Sequence, residues 1–497
     1  MFEMIKIRTK SLSSIGIPIF ILLLLILFAF EPCMGEKLTE ITDTYKIIDN
    51  NEDFERTLFD IPQESWNRTF GGTNVDRGVY VEQTNDGGYI ITGETWSYGN
   101  GAYDIWLIKT DSKGNEEWNK TFGGENDEMG TSIHSTIDGG YIITGKTNSY
   151  GVGNSDVWLI KTDAFGNEEW NKTFGNEFND WGWSVQQTID NGYIITGISE
   201  PFSEDIRDLW LIKTDSFGNE KWNKTYGGVK NEYGYSVQQT TDGGYLILGE
   251  TNSYGSGSGD VWLIKTDVNG TEDWNKTFGG IDQDSGISMQ IIENEGYIIL
   301  GITWSFGLDS GDVWLIKTDI FGNEQWNRTF GGTSYDCGAS IDITDDGEFI
   351  ICAITETFGA GEGDVWLIKT DSSGNEKWNK TFGGTDYDCG YSVQYTDDGG
   401  FIICGCTKSY GVGNEDVWLI KVEIIAELRM TFLFGYVTNI TLMDDFIKFK
   451  AQNVFYIVFK PKHYGSLSNE EIIAKQVLAL TIPGNPGIIF GFYKTYL

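Results

Sequence analysis

The chain is short of histidine, cysteine and positive charge, and each shortage removes a class of function. Only two histidines, His134 and His463, occur in 497 residues, and they fall in different expected domains, which leaves little for histidine-based catalysis. The six cysteines show neither a CxxC pair nor any Cys/His metal spacing. Lys and Arg total 35 against 73 Asp and Glu, a net charge of −38, which argues against nucleic acid, whose phosphates need cations to displace counterions. Such a balance favours solubility, cations or basic partners. There is no Gly-rich phosphate loop and no nucleophile elbow. The longest apolar run, Ile15 to Phe30, is short for a membrane span of about 20 residues.

What the chain has in quantity is repetition. Asp-Val-Trp-Leu-Ile-Lys or a close variant places a tryptophan at 106, 158, 210, 262, 314, 366 and 418. The phrase Trp-Asn-Lys/Arg-Thr-Phe/Tyr keeps the same step of 52 residues from Trp66 to Trp378. A period of this length made of short Ile, Val, Thr, Tyr and Trp runs between Gly, Asp and Asn turns is the pattern of a radially repeated all-β fold. In the second copy the runs are Gly130–Thr136 (A), Gly140–Lys146 (B), Asp156–Lys161 (C) and Glu168–Phe174 (D). Four antiparallel runs make one propeller blade.

Runs A, B and C occur seven times, but the first D run, Glu64–Phe70, precedes any A, and no D run follows the last C. The expected fold is therefore an all-β, seven-bladed β-propeller over 64–423, closed by an N-terminal outer strand, with a small β-rich domain at 424–497. Joining the two ends in one blade removes open sheet edges.

Outside the repeat, Lys6, Arg8 and Lys10 precede the apolar run, so residues 1–35 read as a signal peptide or, uncut, an N-terminal anchor. Either way the propeller is expected to be exported, extracellular or at the cell surface. Residues 36–63 are polar and read as an irregular linker. Beyond 424 the expected elements are strands near 431–437, 446–451, 454–459 and 488–492 and a helix over Asn469–Leu480, with no role assigned.

Five cysteines fall in the last two blades, in equivalent pairs (Cys337 and Cys389, Cys352 and Cys404) with Cys406 left over. They read as small buried hydrophobes of a duplicated blade as readily as a disulfide plan. His134 occupies a place where other copies carry Glu82, Gln186 or Gln238, and reads as a hydrogen-bonded core residue of an inner strand rather than a base.

Alternating strand direction puts the D-to-A and B-to-C connections on one face of the disc and the A-to-B and C-to-D turns on the other. The second face is uniform, whereas the copies differ on the first. Fourteen of the 18 tryptophans belong to the two repeated phrases and are expected between blades. The remaining four, Trp96, Trp181, Trp183 and Trp304, map to the variable face or its rim, where they could stack on a sugar or a partner's apolar groups. Arg207, in the most divergent B-to-C connection, could clamp a carboxylate, with pairing to Glu204 or Asp205 as the plainer outcome. Acids open strand A in every copy, and Asp76, Asp180, Asp284, Asp336 and Asp388 are weak calcium candidates; capping of turn amides is the alternative. Asn67, Asn119, Asn171, Asn223, Asn275, Asn327 and Asn379 each begin an Asn-x-Thr acceptor sequence for glycosylation.

The run Thr-Phe-Gly-Gly-x-x-x-Asp-x-Gly, then Gly-Gly-Tyr-Ile-Ile-Thr-Gly, then Asp-Val-Trp-Leu-Ile-Lys resembles the bacterial and archaeal seven-bladed propeller repeat family of exported surface proteins. Its Leu-Ile-Lys-Thr-Asp-x-x-Gly-Asn-Glu-x-Trp portion is also similar to the tryptophan-docking repeat of quinone-dependent dehydrogenases. Those enzymes have eight blades and an inserted calcium and quinone site, neither of which is seen here. The resemblance implies a noncatalytic extracellular module. The expected function is thus a cell-surface or secreted binding scaffold for an extracellular glycan or protein, without catalytic residues or a cofactor apart from Ca²⁺ as an option, and touching membrane only through an uncleaved N-terminal segment. The alternative is an extracellular polysaccharide lyase or hydrolase working at the channel mouth.

Overall fold

The repeated phrases become strands rich in β-branched and aromatic residues between Gly-containing turns: the B and C phrases are near-continuous apolar runs buried along their length, and the A and D phrases mix buried with exposed positions. The computed structural model describes residues 43–49, 52–200, 206–308, 310–429, 437–443, 446–451 and 455–458, and every regular element among them is a strand. Six four-stranded antiparallel sheets follow the order A-B-C-D, as in Asp76–Gln83, Tyr89–Thr95, Asp104–Thr110 and Glu116–Phe122. The seventh takes Asp388–Tyr395, Phe401–Thr407 and Asp416–Arg429 from the end of the repeat and its D strand from Glu52–Phe70. Phe70 pairs with Val417 and Trp66 with Lys421, so the ring closes through the N-terminal strand as the strand count predicts.

The A strands line the centre, each beside the A strand of the next blade, and their side chains bind across the junctions. Ser132 Oγ accepts from Val185 N at 3.4 Å, and Gln394 Oε1 accepts from Gln83 N at 2.5 Å where the last blade meets the first. The hydrophobic core sits between blades: one cluster joins Val81, Ile91 and Trp106 of the first blade to Ile402, Val417 and Leu419 of the last. Trp118 of one D strand lies 6.3 Å from Tyr141 of the following blade, and Trp170 lies 5.9 Å from Tyr193. The fourteen repeated tryptophans are therefore packing residues. The lysine that ends each C phrase is buried and reaches an acid of the A-to-B turn, as in Lys109 to Asp86 and Lys213 to Asp190, both 2.9 Å.

One expectation is revised, and the open reading of the cysteines is resolved in part. The stretch read as an irregular linker carries the strand Asp43–Asp49 and the first part of Glu52–Phe70. The latter pairs with Glu423–Arg429, because strand C of the last blade runs on past the repeat and offers a backbone edge that needs no apolar alternation to be filled. The cysteines also form a bond: Cys389 and Cys406 face each other on adjacent strands and are joined in a disulfide. Cys337, the equivalent of Cys389, faces Ile354 instead and stays free.

After the ring, Val437–Met443, Phe446–Ala451 and Phe455–Val458 form a three-stranded antiparallel sheet. The second and third match expected strands, and the first lies beyond the one expected at 431–437. The expected elements at 469–480 and 488–492, and the N-terminal segment 1–35, lie outside the described residues.

Candidate ligand face

The variable face is built on pairs of buried acids. The acid that opens strand A caps the two loops beside it: Asp76 Oδ2 accepts from Gly72 N at 2.8 Å and from the Ser97 hydroxyl at 2.6 Å, while Oδ1 accepts from Thr95. The aspartate that opens strand C accepts from the B-to-C loop, as Asp104 Oδ2 does from Asn100 N at 2.6 Å. Its other oxygen turns toward the next blade's acid across a glycine, and Asp104 Oδ1 has no hydrogen-bond partner. A Cβ at Gly123 would overlap that atom and lie 2.7 Å from Glu128 Oε2. Burial, with Glu128 adding repulsion, pushes the Asp104 carboxyl up to about 6. Burial and Asp284 do the same to Asp260.

The calcium candidates Asp76, Asp180, Asp284, Asp336 and Asp388 are all fully buried at strand starts in separate blades. Four of the five accept a loop amide of the Gly-Gly connection at 2.7 to 2.9 Å, as Asp284 does from Gly280, and Asp180 accepts from Asn176 N at 2.7 Å. Those contacts explain the repeat of the acid by capping. Among the described residues, the one group of three metal-type ligands in reach of one another is Cys389, Cys406 and Glu415, and its sulfurs are spent on the disulfide.

The leftover aromatics separate into three places. Trp96 is exposed against Tyr103 at 5.5 Å, and Trp304 sits against Tyr335 at 6.0 Å. Trp181 and Trp183, by contrast, begin a row. Their rings are 6.1 Å apart and edge-on, Trp183 meets Tyr235 of the next blade at 5.8 Å, and Tyr235 stacks on Tyr233 at 5.9 Å. A bulge between Gly182 and Ser184 frees Trp183 from strand pairing, and the equivalent bulge frees Tyr235. Two cations flank the first ring: Lys146 Nζ lies 4.7 Å and the Arg207 guanidinium 5.6 Å from the Trp181 centroid. The indole nitrogens of Trp181 and Trp183 have no hydrogen-bond partner.

Arg207 is held by Glu200 at 2.9 Å, and that bond raises the guanidinium further above its usual range. Its partner among the described residues is Glu200, an acid of the same loop; the expected partners Glu204 and Asp205 lie outside the described residues. Sequence reasoning missed Tyr233, Tyr235 and Lys146. The two tyrosines did carry a signal, since they stand 52 residues after Trp181 and Trp183; Lys146 comes from another blade's B strand and has no such mark. Glu250 also lies here, accepting from Gln283 Nε2 at 3.1 Å, with its carboxyl raised by burial.

His134 is part of the channel wall, with Nδ1 3.1 Å from Glu82 Oε2. On the outer strands, the glycosylation candidates Asn67, Asn119, Asn171, Asn223, Asn275 and Asn327 are exposed and Asn379 is half-buried. Asn119 Oδ1 accepts from the Trp106 indole at 3.2 Å while its amide donates to Glu116 at 2.6 Å.

No family model matches the chain, and no curated protein matches it. Among solved structures, it is similar to a protein of unknown function from Bacteroides caccae (13% identity, 57% of this chain and 92% of that one, TM-score 0.37). It is also similar to the WD40 domain of Neurospora crassa Pan2 (10% identity, 69% and 88%, TM-score 0.43) and to a glucose dehydrogenase (9% identity, 59% and 96%, TM-score 0.37). The functional reading rests on this chain's own residues.

Proposed function

We propose that the chain is an exported, noncatalytic binding scaffold of the surface-protein repeat type, and that it holds a glycan or protein ligand at the row Trp181–Trp183–Tyr235–Tyr233. The observation that carries this reading is the row itself. Four half-buried aromatic rings from two blades gather on the face where the copies differ, with Lys146 and Arg207 beside them. Flat apolar faces with cations at one end suit the C–H face and oxygen-rich edge of a sugar. Sevenfold sameness is broken here, as recognition of one ligand requires.

The test is binding of the purified chain to a broad glycan array with calcium present. Saturable binding to a defined glycan supports the reading, and a blank from folded protein moves the ligand to the protein class. The enzyme alternative is favoured by one observation: Glu250, a carboxyl raised by burial, lies near Tyr235 and is of the type used as a general acid. It requires turnover of a polysaccharide that is abolished by Glu250→Gln.

A further inference from the structure

Three departures from the repeat converge at one end of the aromatic row. Lys146 stands where the other blades carry glutamate, isoleucine or cysteine, Arg207 where they carry tyrosine, serine, glycine or glutamate, and Trp181 where no other copy has a tryptophan. The two cations come from different blades, yet both lie over the one ring, Lys146 Nζ at 4.7 Å and the Arg207 guanidinium at 5.6 Å from its centroid. Cations are scarce in this chain, 35 against 73 acids, and the repeat supplies neither of these two. Their convergence is a feature of this site alone.

The fold leaves this pair short of acceptors. The C-strand lysines are matched by turn acids, as Lys161 is by Asp138 at 3.0 Å. Lys146, half-buried, makes no hydrogen bond and no ion pair among the described residues. Glu94, whose field reaches it, is bonded to Arg77 at 2.9 Å. Arg207 bonds Glu200 through Nε at 2.9 Å and lies against Tyr233. A guanidinium carries five donors, and that bond uses one of them.

We propose that the ligand of the row is an acidic glycan, a uronate whose carboxylate accepts from Lys146 and faces Arg207 while its ring lies on Trp183. The proposal rests on the row being the ligand site and adds the chemical class of what it holds. Ammonium and guanidinium both make charge-assisted bonds to a carboxylate. Trp181 and Trp183 are 6.1 Å apart, close enough for one pyranose to touch Trp183 with its C–H face and present its C5 carboxylate to the cations at Trp181. The net charge of −38 opposes an anionic polymer at long range. At physiological ionic strength charges farther off than about 8 Å are largely screened, so contact with the two cations decides the selection.

Calorimetric titration of the full chain at about 0.15 M salt tests this with oligomers of galacturonate, glucuronate and guluronate. Each is compared with its carboxyl-reduced form, in which a primary alcohol replaces the carboxylate and the rest of the sugar is unchanged. One acid form is expected to bind at least about tenfold tighter than its reduced form. Lys146→Met brings that ratio toward one with the melting temperature near wild type, whereas Trp183→Ala weakens both forms. Equal affinity for acid and reduced forms, or binding of a neutral glycan alone, overturns the proposal and leaves the row as the site. A sulfated oligosaccharide without carboxylates that binds as tightly as any uronate overturns the carboxylate assignment. An acidic peptide that binds where no glycan does overturns it too, moving the ligand to the protein class. A blank with every glycan from folded chain overturns the glycan reading of the row together with the proposal.

Discussion

A buried indole N–H is costly to leave unpaired, and in six of the seven C strands an asparagine of the outermost strand takes it, while that of Trp418 has no partner. Trp106, Trp158, Trp210, Trp262 and Trp366 each donate to the asparagine 13 residues on, at 3.2 Å. That bond accounts for the asparagine in those copies without reference to glycosylation, which remains a separate proposal tested by mass spectrometry of the exported chain. Asn119→Ala leaves the Trp106 N–H buried and unpaired, and is expected to cost about 1–3 kcal/mol, read as a lower urea midpoint. Gly123→Ala is expected to cost more than Asn119→Ala, because its Cβ would overlap Asp104 Oδ1 and the surrounding strands must shift. Equal midpoints for wild type and Gly123→Ala would contradict the packing described. The asparagines were legible as outward-facing residues, but the indole bond was not, since it joins two strands whose register a sequence does not display.

At the scale of the element, the start of every C strand faces the start of the next blade's A strand, acid against acid. Asp104 and Asp260 are raised to about 6, and Asp208, Asp312 and Asp364 are raised as well, by burial first and by the partner acid second. A carboxyl whose folded value exceeds its unfolded one binds more protons when folded, so stability rises as pH falls through about 6 toward the unfolded value near 4. The A-to-B turn acids act oppositely. Asp86 and Asp242 are lowered to about 2 despite their burial, by bonds from Thr84 and Lys109 and from Thr240 and Lys265, so their contribution is present above about 4 and is lost toward pH 2. The melting temperature is therefore expected to peak between about pH 4 and 5. A curve that climbs steadily from pH 5 to 8 would contradict the acid pairs. The acids themselves were visible in the sequence, but their pairing was not: Asp104 and Glu128 belong to different blades and meet only once the ring is closed.

For the whole molecule, closure and blade number follow from the strand count alone, because seven A-B-C units and a displaced D run leave one arrangement that pairs every edge. The extension of the last blade beyond residue 423 does not, since Glu52–Gln63 lacks the alternation that marks a half-buried strand. Deleting residues 1–70 strips the last blade of its outer strand and exposes the edge of Asp416–Arg429. The deletion is expected to yield concentration-dependent association in size-exclusion chromatography, whereas a monomer with unchanged melting temperature would show that the join is dispensable. The ligand face was half legible. Trp181, Trp183 and Arg207 stood out as departures from the repeat and the fold brings them together, while Trp96 and Trp304 stood out equally and lie apart, each against a single tyrosine.

That difference gives the most direct test of the central claim, a comparison of Trp183→Ala, Trp96→Ala and Trp304→Ala by calorimetric titration with the glycan that the array identifies. If the row is the site, Trp183→Ala weakens binding about tenfold or more with its melting temperature near wild type, and the other two variants bind as wild type does. Equal affinities for wild type and Trp183→Ala, or a loss confined to Trp96→Ala or Trp304→Ala, would contradict it.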